Sequence, residues 1–315
     1  MNDPKPPLES AVALQPAAPL QNAPRPRRND SGLGIALMAT GMFLFSLVDT
    51  QGKFLTDTLH PVQIVWSRQL GLVLGVLVVL AYRGVSILRT SNPALQIARG
   101  TMAAGSATLF IFAVSYVPLA DAVAVSFVAP FIVTLLGALV LREPVGIRRW
   151  AAVSIGFLGT LVIIRPGLGA IHPAVMLVIA AAALFALRQV LSRVLSGGDR
   201  TVTTVAYTAL TSSLILSVPL PFVWVWPTEN IQFILLFSMA ALAAVAEICV
   251  IKALEVAQAV VVAPLHYTIM IWSTCWGFLV FGDLPDIWTW VGALIIVASG
   301  AYTLHRERVV SRRRH

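Results

Sequence analysis

The sequence predicts an all-α integral membrane protein whose ten transmembrane helices form two inverted five-helix repeats. Three observations lead there: a composition too apolar for water, ten apolar runs punctuated by Gly, Pro and charge, and a self-match at one constant offset. Of 315 residues, 58% are hydrophobic and 11% charged, and the mean hydropathy is +0.85. A soluble domain carries about 25% charged residues. Helices are the required element, because lipid offers no partner to an unpaired backbone N–H or C=O.

Taken in order, the first 30 residues come before any apolar run. They hold seven prolines and the cluster Arg25, Arg27, Arg28. With no apolar stretch of signal-peptide length, they read as a disordered basic cytoplasmic tail. Spans follow at 31–55, 62–82, 94–116, 118–141 and 147–165, then at 172–196, 201–223, 230–253, 258–281 and 287–304. At ~1.5 Å per residue these can cross a ~30 Å hydrocarbon core, with tilt where needed. Residues 306–315 form a second basic tail.

Counting cations on alternate sides gives the orientation. One side receives the N-terminal tail, Arg83, Arg89, Arg142, Arg148, Arg149, Arg193, Arg200, Lys252 and the C-terminal arginines; the other receives little beyond Lys53 and Arg165. Short loops rich in Lys and Arg stay cytoplasmic, so both termini are expected inside. The net charge of +8 then faces anionic lipid, and no nucleic-acid partner is expected.

Two ten-residue segments reveal the repeat. LREPVGIRRW (141–150) and FGDLPDIWTW (281–290) each carry a carboxylate third, Glu143 or Asp283, and a tryptophan last, Trp150 or Trp290. The same offset of 140 aligns Phe45 with Phe185, Lys53 with Arg193, Val65 with Val205, Ala113 with Ala253 and Gly137 with Gly277. Five spans per copy make the second copy enter from the opposite side. The first hairpin is then cytoplasmic and basic, the second outside and acidic. Inverted repeats are a construction of secondary transporters, where exchanging the conformations of the halves exchanges inside for outside access.

With PLADAVAVSFVAP (118–130) leading to LREPVGIRRWAAVSIGFLGTLVIIRPG (141–167), the chain resembles the EamA branch of the drug/metabolite transporter superfamily. The resemblance covers about residues 31–305. The second half departs from it with Asp283 in the hairpin and AQAVVVAPLHY in place of a close PLADA copy. The resemblance implies two EamA-like units, 31–166 and 172–305, in a bacterial-type inner membrane. It also implies transport of a small organic metabolite, an amino acid or a heteroaromatic solute of the riboflavin or S-adenosylmethionine kind. It leaves direction open, and the oligomer is a monomer or a homodimer.

Ionisable groups inside spans are costly and are functional candidates by default. Asp49 with Lys53 on span one, and Arg68 on span two, lie at similar depth near the outer end. Arg188 on span six and Glu247 on span eight match in depth near the inner end. The first set is either an interfacial pair that snorkels to water or an outer gate. The second is either a static ion pair or that gate's counterpart near the inner end. Glu247 or His266 is also a candidate proton carrier, the latter because imidazole titrates near neutrality. Spans four and nine carry mid-run prolines, Pro130 and Pro264, which free a carbonyl. Around them Phe127, His266, Tyr267 and Trp272, with Phe45, Trp66 and Gln189 from other spans, are candidate substrate contacts; each is otherwise a packing or lipid-facing side chain. An aromatic wall of this kind suits a flat or amphipathic organic solute.

Other functions lack their motifs. There is no G-x-x-x-x-G-K-[ST] phosphate loop, and His60, His172, His266, His305 and His315 fall in no catalytic spacing. No enzyme activity, cofactor or metal site is expected. A passive channel or a non-transporting sensor is the alternative to a carrier.

Overall fold

The computed structural model describes residues 30–140, 146–165, 172–195, 199–257 and 259–312. The expected N-terminal tail, the Arg142/Glu143 turn and the last three residues lie outside them. All regular structure among the described residues is helical. In chain order the α-helices are α1 (Ser31–Leu55), α2 (Pro61–Arg83), α3 (Pro93–Val114), α4 (Leu119–Ser126), α5 (Ala129–Leu139) and α6 (Ile147–Ile164). They continue with α7 (Val175–Leu195), α8 (Thr201–Ser217), α9 (Leu220–Val223), α10 (Asn230–Val256), α11 (Ala259–Val262), α12 (Thr268–Trp276) and α13 (Ile287–Arg312).

Among the described residues, six spans are long and apolar enough to cross a membrane: α1, α2, α3, α4 with α5 as Leu119–Leu139, α7 and α10. Shorter apolar helices run over Trp150–Ile164, Thr201–Ser217 and Ile287–Tyr302. Large apolar side chains point outward, with Leu74 at 61%, Leu294 at 71% and Phe237 at 75% exposure. Exposure on this scale would be costly in water and suits lipid. The chain is a multi-pass membrane protein.

Where the sequence reading has continuous helices, proline breaks them. The fourth span is divided between Ser126 and Ala129, and Pro130 sits in the first turn of α5, where its missing N–H costs least. The ninth passes from α11 through a 3-10 turn, Ala263–Tyr267, holding Pro264, then through α12 into a π turn, Gly277–Phe281. Gly282 ends that turn at φ 73, a left-handed conformation that favours glycine. The seventh stops at Ser217, just before Pro219 and Pro221. The last helix runs on to Arg312, past the apolar limit at 304, because RERVVSRR contains no Gly or Pro to stop it.

Packing assembles two four-membered groups. In one, α1 lies along α10, with α2 on α10 and α12 on α1; in the other, α7 lies along α3, with α8 on α3 and α5 on α7. The groups meet where α2 crosses α8 and α4 crosses α12, and α6 pairs with α13 at the side. Small residues allow the close approaches. A methyl on Gly71 would overlap the Ala240 carbonyl of α10, and Gly159 and Gly292 each face the other's backbone between α6 and α13.

Candidate functional site

A cavity of about 120 Å³ lies on the seam between the two groups. One group contributes Phe45 from α1, Val65, Arg68, Gln69 and Leu72 from α2, and Ala243 and Glu247 from α10. The other contributes Arg99, Ala103 and Ala107 from α3, Arg188 from α7, and Val205, Thr208 and Ala209 from α8. Most of these fall in pairs 140 positions apart: Val65 with Val205, Arg68 with Thr208, Gln69 with Ala209, Ala103 with Ala243, and Ala107 with Glu247. The lining positions match at this offset, but the charges do not. Arg68 faces a threonine counterpart and Glu247 an alanine one, while Arg99 and Arg188 correspond to Met239 and Val48.

The three arginines have different surroundings. Arg68 Nη1 donates to Asp49 Oδ1 at 2.9 Å, and its guanidinium stands 5.6 Å from the Phe45 ring centroid. Asp49 is buried, so the pair satisfies a carboxylate that would otherwise be stranded in a low-dielectric layer. Because α1 and α2 belong to the same packed group, the pair is positioned to brace that group. Arg99 Nε donates to Ser192 Oγ at 2.7 Å and its Nη1 to Thr208 Oγ1. Two hydroxyls orient this guanidinium without cancelling its charge. Arg188 lies 4.8 Å from the Phe185 ring centroid, and its Nε is buried with no hydrogen-bond partner. Arg188 and Glu247, suggested as direct partners by their equal depth, line the same cavity and interact electrostatically, but form no ion pair among the described residues.

The other candidates lie outside that lining. Trp66 donates its indole N–H to Ser217 Oγ at 2.9 Å and meets Trp224 edge-on. Phe127 packs on Tyr267 at 5.1 Å between centroids, and Trp272 meets Phe43 edge-on at the same separation. Pro130 and His266 are exposed, and Gln189 is half-buried beside Arg188 in the chain. Arg99 is the one charged lining residue that the sequence reading overlooked, along with uncharged ones such as Gln69 and Thr208. Its available signal was a cation nearly two turns inside α3, where the repeat has methionine.

A second, larger cavity of about 480 Å³ opens between α6 and α13, lined by Ala151, Ala152, Ile155, Ile295, Ala298, Ser299 and Tyr302. It has no charged group and opens on the side of the bundle. At the end of the bundle where α1 stops, by contrast, ion pairs gather. Lys53 meets Asp283 at 3.0 Å and also donates to the Val117 carbonyl, while Arg165 pairs with Asp286. At the opposite end the Asp199 carboxylate accepts from Thr90 Oγ1 at 2.5 Å and from Gln96 Nε2 at 2.7 Å. Those two bonds hold Asp199 below the usual carboxylate range. Cys249 is half-buried and Cys275 exposed, both as free thiols. Exposure of Cys275 within an apolar run shows that apolar sequence on a membrane helix does not imply burial in protein.

Comparison with known proteins is decisive at the level of family. The chain matches the EamA-like transporter family twice, over residues 32–165 and 172–304. It belongs to that family. Among curated proteins it is similar to an S-adenosylmethionine uptake transporter of Rickettsia felis, 25% identical over 89% of this chain and 96% of that one. It is 32% identical to a riboflavin transporter of Vibrio cholerae over 72% of this chain and 76% of the relative. It is 27% identical to the pseudopaline exporter CntI of Pseudomonas aeruginosa, over 84% and 94%. A solved crystal structure superposes on it with a TM-score of 0.60, covering 88% of this chain and 98% of that one at 17% identity. The fold of the EamA-like chain is shared with that structure.

Proposed function

We propose that this EamA-like transporter is a secondary active carrier that moves a small organic metabolite across a bacterial-type inner membrane by alternating access. In this reading ten spans form two inverted units, 31–166 and 172–305, and both termini are cytoplasmic. The observation that carries it is the placement of the cavity. Positions 140 apart line it from opposite sides, so a pseudo-two-fold axis running through it would relate the halves. Helix packing supports the same operation: α1 on α10 maps onto α7 on α3, α2 on α10 onto α8 on α3, and α12 on α1 onto α5 on α7. Rocking one four-helix group against the other would then expose one site to each side in turn.

The relatives transport S-adenosylmethionine, riboflavin and pseudopaline, as their names state, which supports an organic solute of amino-acid or heteroaromatic type. Within the site, Phe45, Arg68, Arg188 and Glu247 are assigned to contact or coupling, with Asp49 holding Arg68. Pro130 and Pro264 supply the hinges of the broken fourth and ninth spans; Phe127, Tyr267 and Trp272 pack beside them. Glu247 is the better placed proton carrier, since it faces the cavity. The test is flux of amino acids, S-adenosylmethionine and riboflavin in proteoliposomes, with and without a pH gradient. Counterflow of one of these solutes, with a pH response lost in Glu247→Gln, is expected. Flux without counterflow would indicate a passive facilitator, and absence of flux for the whole panel would remove the reading.

A further inference from the structure

We infer that the cavity recognises the zwitterionic head of its solute, taking a carboxylate on Arg188 and Arg99 and an ammonium on Glu247. The inference rests on the transporter reading and narrows its substrate class. Arg68 already has a carboxylate in Asp49. Arg99 and Arg188 have none: their polar and ring neighbours are two hydroxyls and a phenyl face, and the Arg188 Nε is buried without a partner. A guanidinium held in a cavity with open donors is a fork for a planar carboxylate. A buried donor left unpaired is costly, so a ligand that completes it gains what the empty site lacks.

Glu247 distinguishes a zwitterion from a simple anion. It lines the same cavity and interacts with Arg188 electrostatically, but the two remain out of ion-pair contact across the seam. An α-ammonium beside the carboxylate would restore local balance by meeting Glu247 while the carboxylate meets the arginines. Arg99 and Arg188 belong to one helix group and Glu247 to the other, so such a head would bridge the groups that must move. The cavity volume of about 120 Å³ falls below the ~300–1,000 Å³ typical of whole drug-sized ligands. It accommodates a head group, with the remainder of the solute directed along the seam.

Binding to the purified full-length chain tests this apart from flux. The probes are the L-amino acids and S-adenosylmethionine, each compared with its decarboxylated amine, its desamino acid where obtainable, and riboflavin as a solute without a carboxylate. The expected result is that at least one zwitterion binds. Its amine should bind about tenfold to a hundredfold more weakly, the loss of a charge-assisted contact, and its desamino form should also be weakened. Arg188→Gln should erase the preference for the carboxylate, and Glu247→Gln the preference for the ammonium. Riboflavin binding undiminished beside the zwitterions, equal binding of acid and amine, or no zwitterion binding at all would each overturn the inference. Flux with carboxylate-independent binding would leave the transporter reading intact; head-group-dependent binding without flux would do the reverse.

Discussion

At the end of the bundle where α1 stops, Lys53 meets Asp283 and Arg165 meets Asp286. Within the cavity, Arg99 and Arg188 meet hydroxyls and a phenyl face. Similar side chains therefore have opposite electrostatic settings a few turns apart. The peripheral cations are neutralised by the chain itself, in partly exposed pairs of the kind that contribute ~0–1 kcal/mol each. Arg99 and Arg188 are left without a carboxylate in contact, in a layer where an uncompensated charge is far more costly. Charge that the fold leaves open at such cost is where a solute has something to complete, whereas charge that the fold has closed belongs to the scaffold.

The largest effect that would break this comparison concerns transport. Arg188→Gln and Glu247→Gln should each lower initial flux by about tenfold or more, the equivalent of one charge-assisted contact. Asp283→Asn and Asp286→Asn should keep flux within about twofold of the parent, as exposed pairs allow. Comparable losses in all four variants, measured in proteoliposomes at matched protein content, would erase the distinction between cavity and periphery.

A smaller effect sharpens it from the scaffold side. The Thr90 and Gln96 bonds lower the Asp199 carboxyl from its ordinary value of 3.8. A group depressed in the folded state gives stability that is full above its ordinary value and drains as pH falls through the folded value. Thermal midpoints of the purified chain should therefore drop as pH falls through and below the ordinary value of 3.8, and Asp199→Asn should be lower at neutral pH with a shallower acid slope. Parallel slopes for parent and variant would show that this carboxylate is not part of the scaffold's acid response.

Much of the architecture is legible in the sequence because lipid makes it so. Apolar length and loop cations mark where helices run, and the offset of 140 emerges from ordered coincidences such as Phe45 with Phe185. The breaks were only half legible. Pro130 and Pro264 mark the fourth and ninth spans, but whether a chain answers proline with a 3-10 turn or a separated helix depends on neighbouring helices. The cavity was legible where a charge interrupts an apolar run, as at Arg68, Arg188 and Glu247. Arg99 escaped because a cation near a helix end also fits a positive-inside pattern, and only its hydroxyl partners on α7 and α8 mark it as facing the cavity. Trp66 and Trp272 show the converse limit: on helices apolar all round, periodicity does not say whether a ring meets the cavity, another ring or lipid.

Alternating exposure of the seam is the claim on which the rest depends, and Ala107, which lines the cavity and stands 140 positions before Glu247, reports on it most directly. In a chain with Cys249 and Cys275 replaced by alanine, Ala107→Cys is labelled with a membrane-impermeant maleimide in right-side-out and in inside-out vesicles. The carrier account predicts modification from both faces, slowed in each case by a transported solute. Modification from one face only, under every condition, would contradict it.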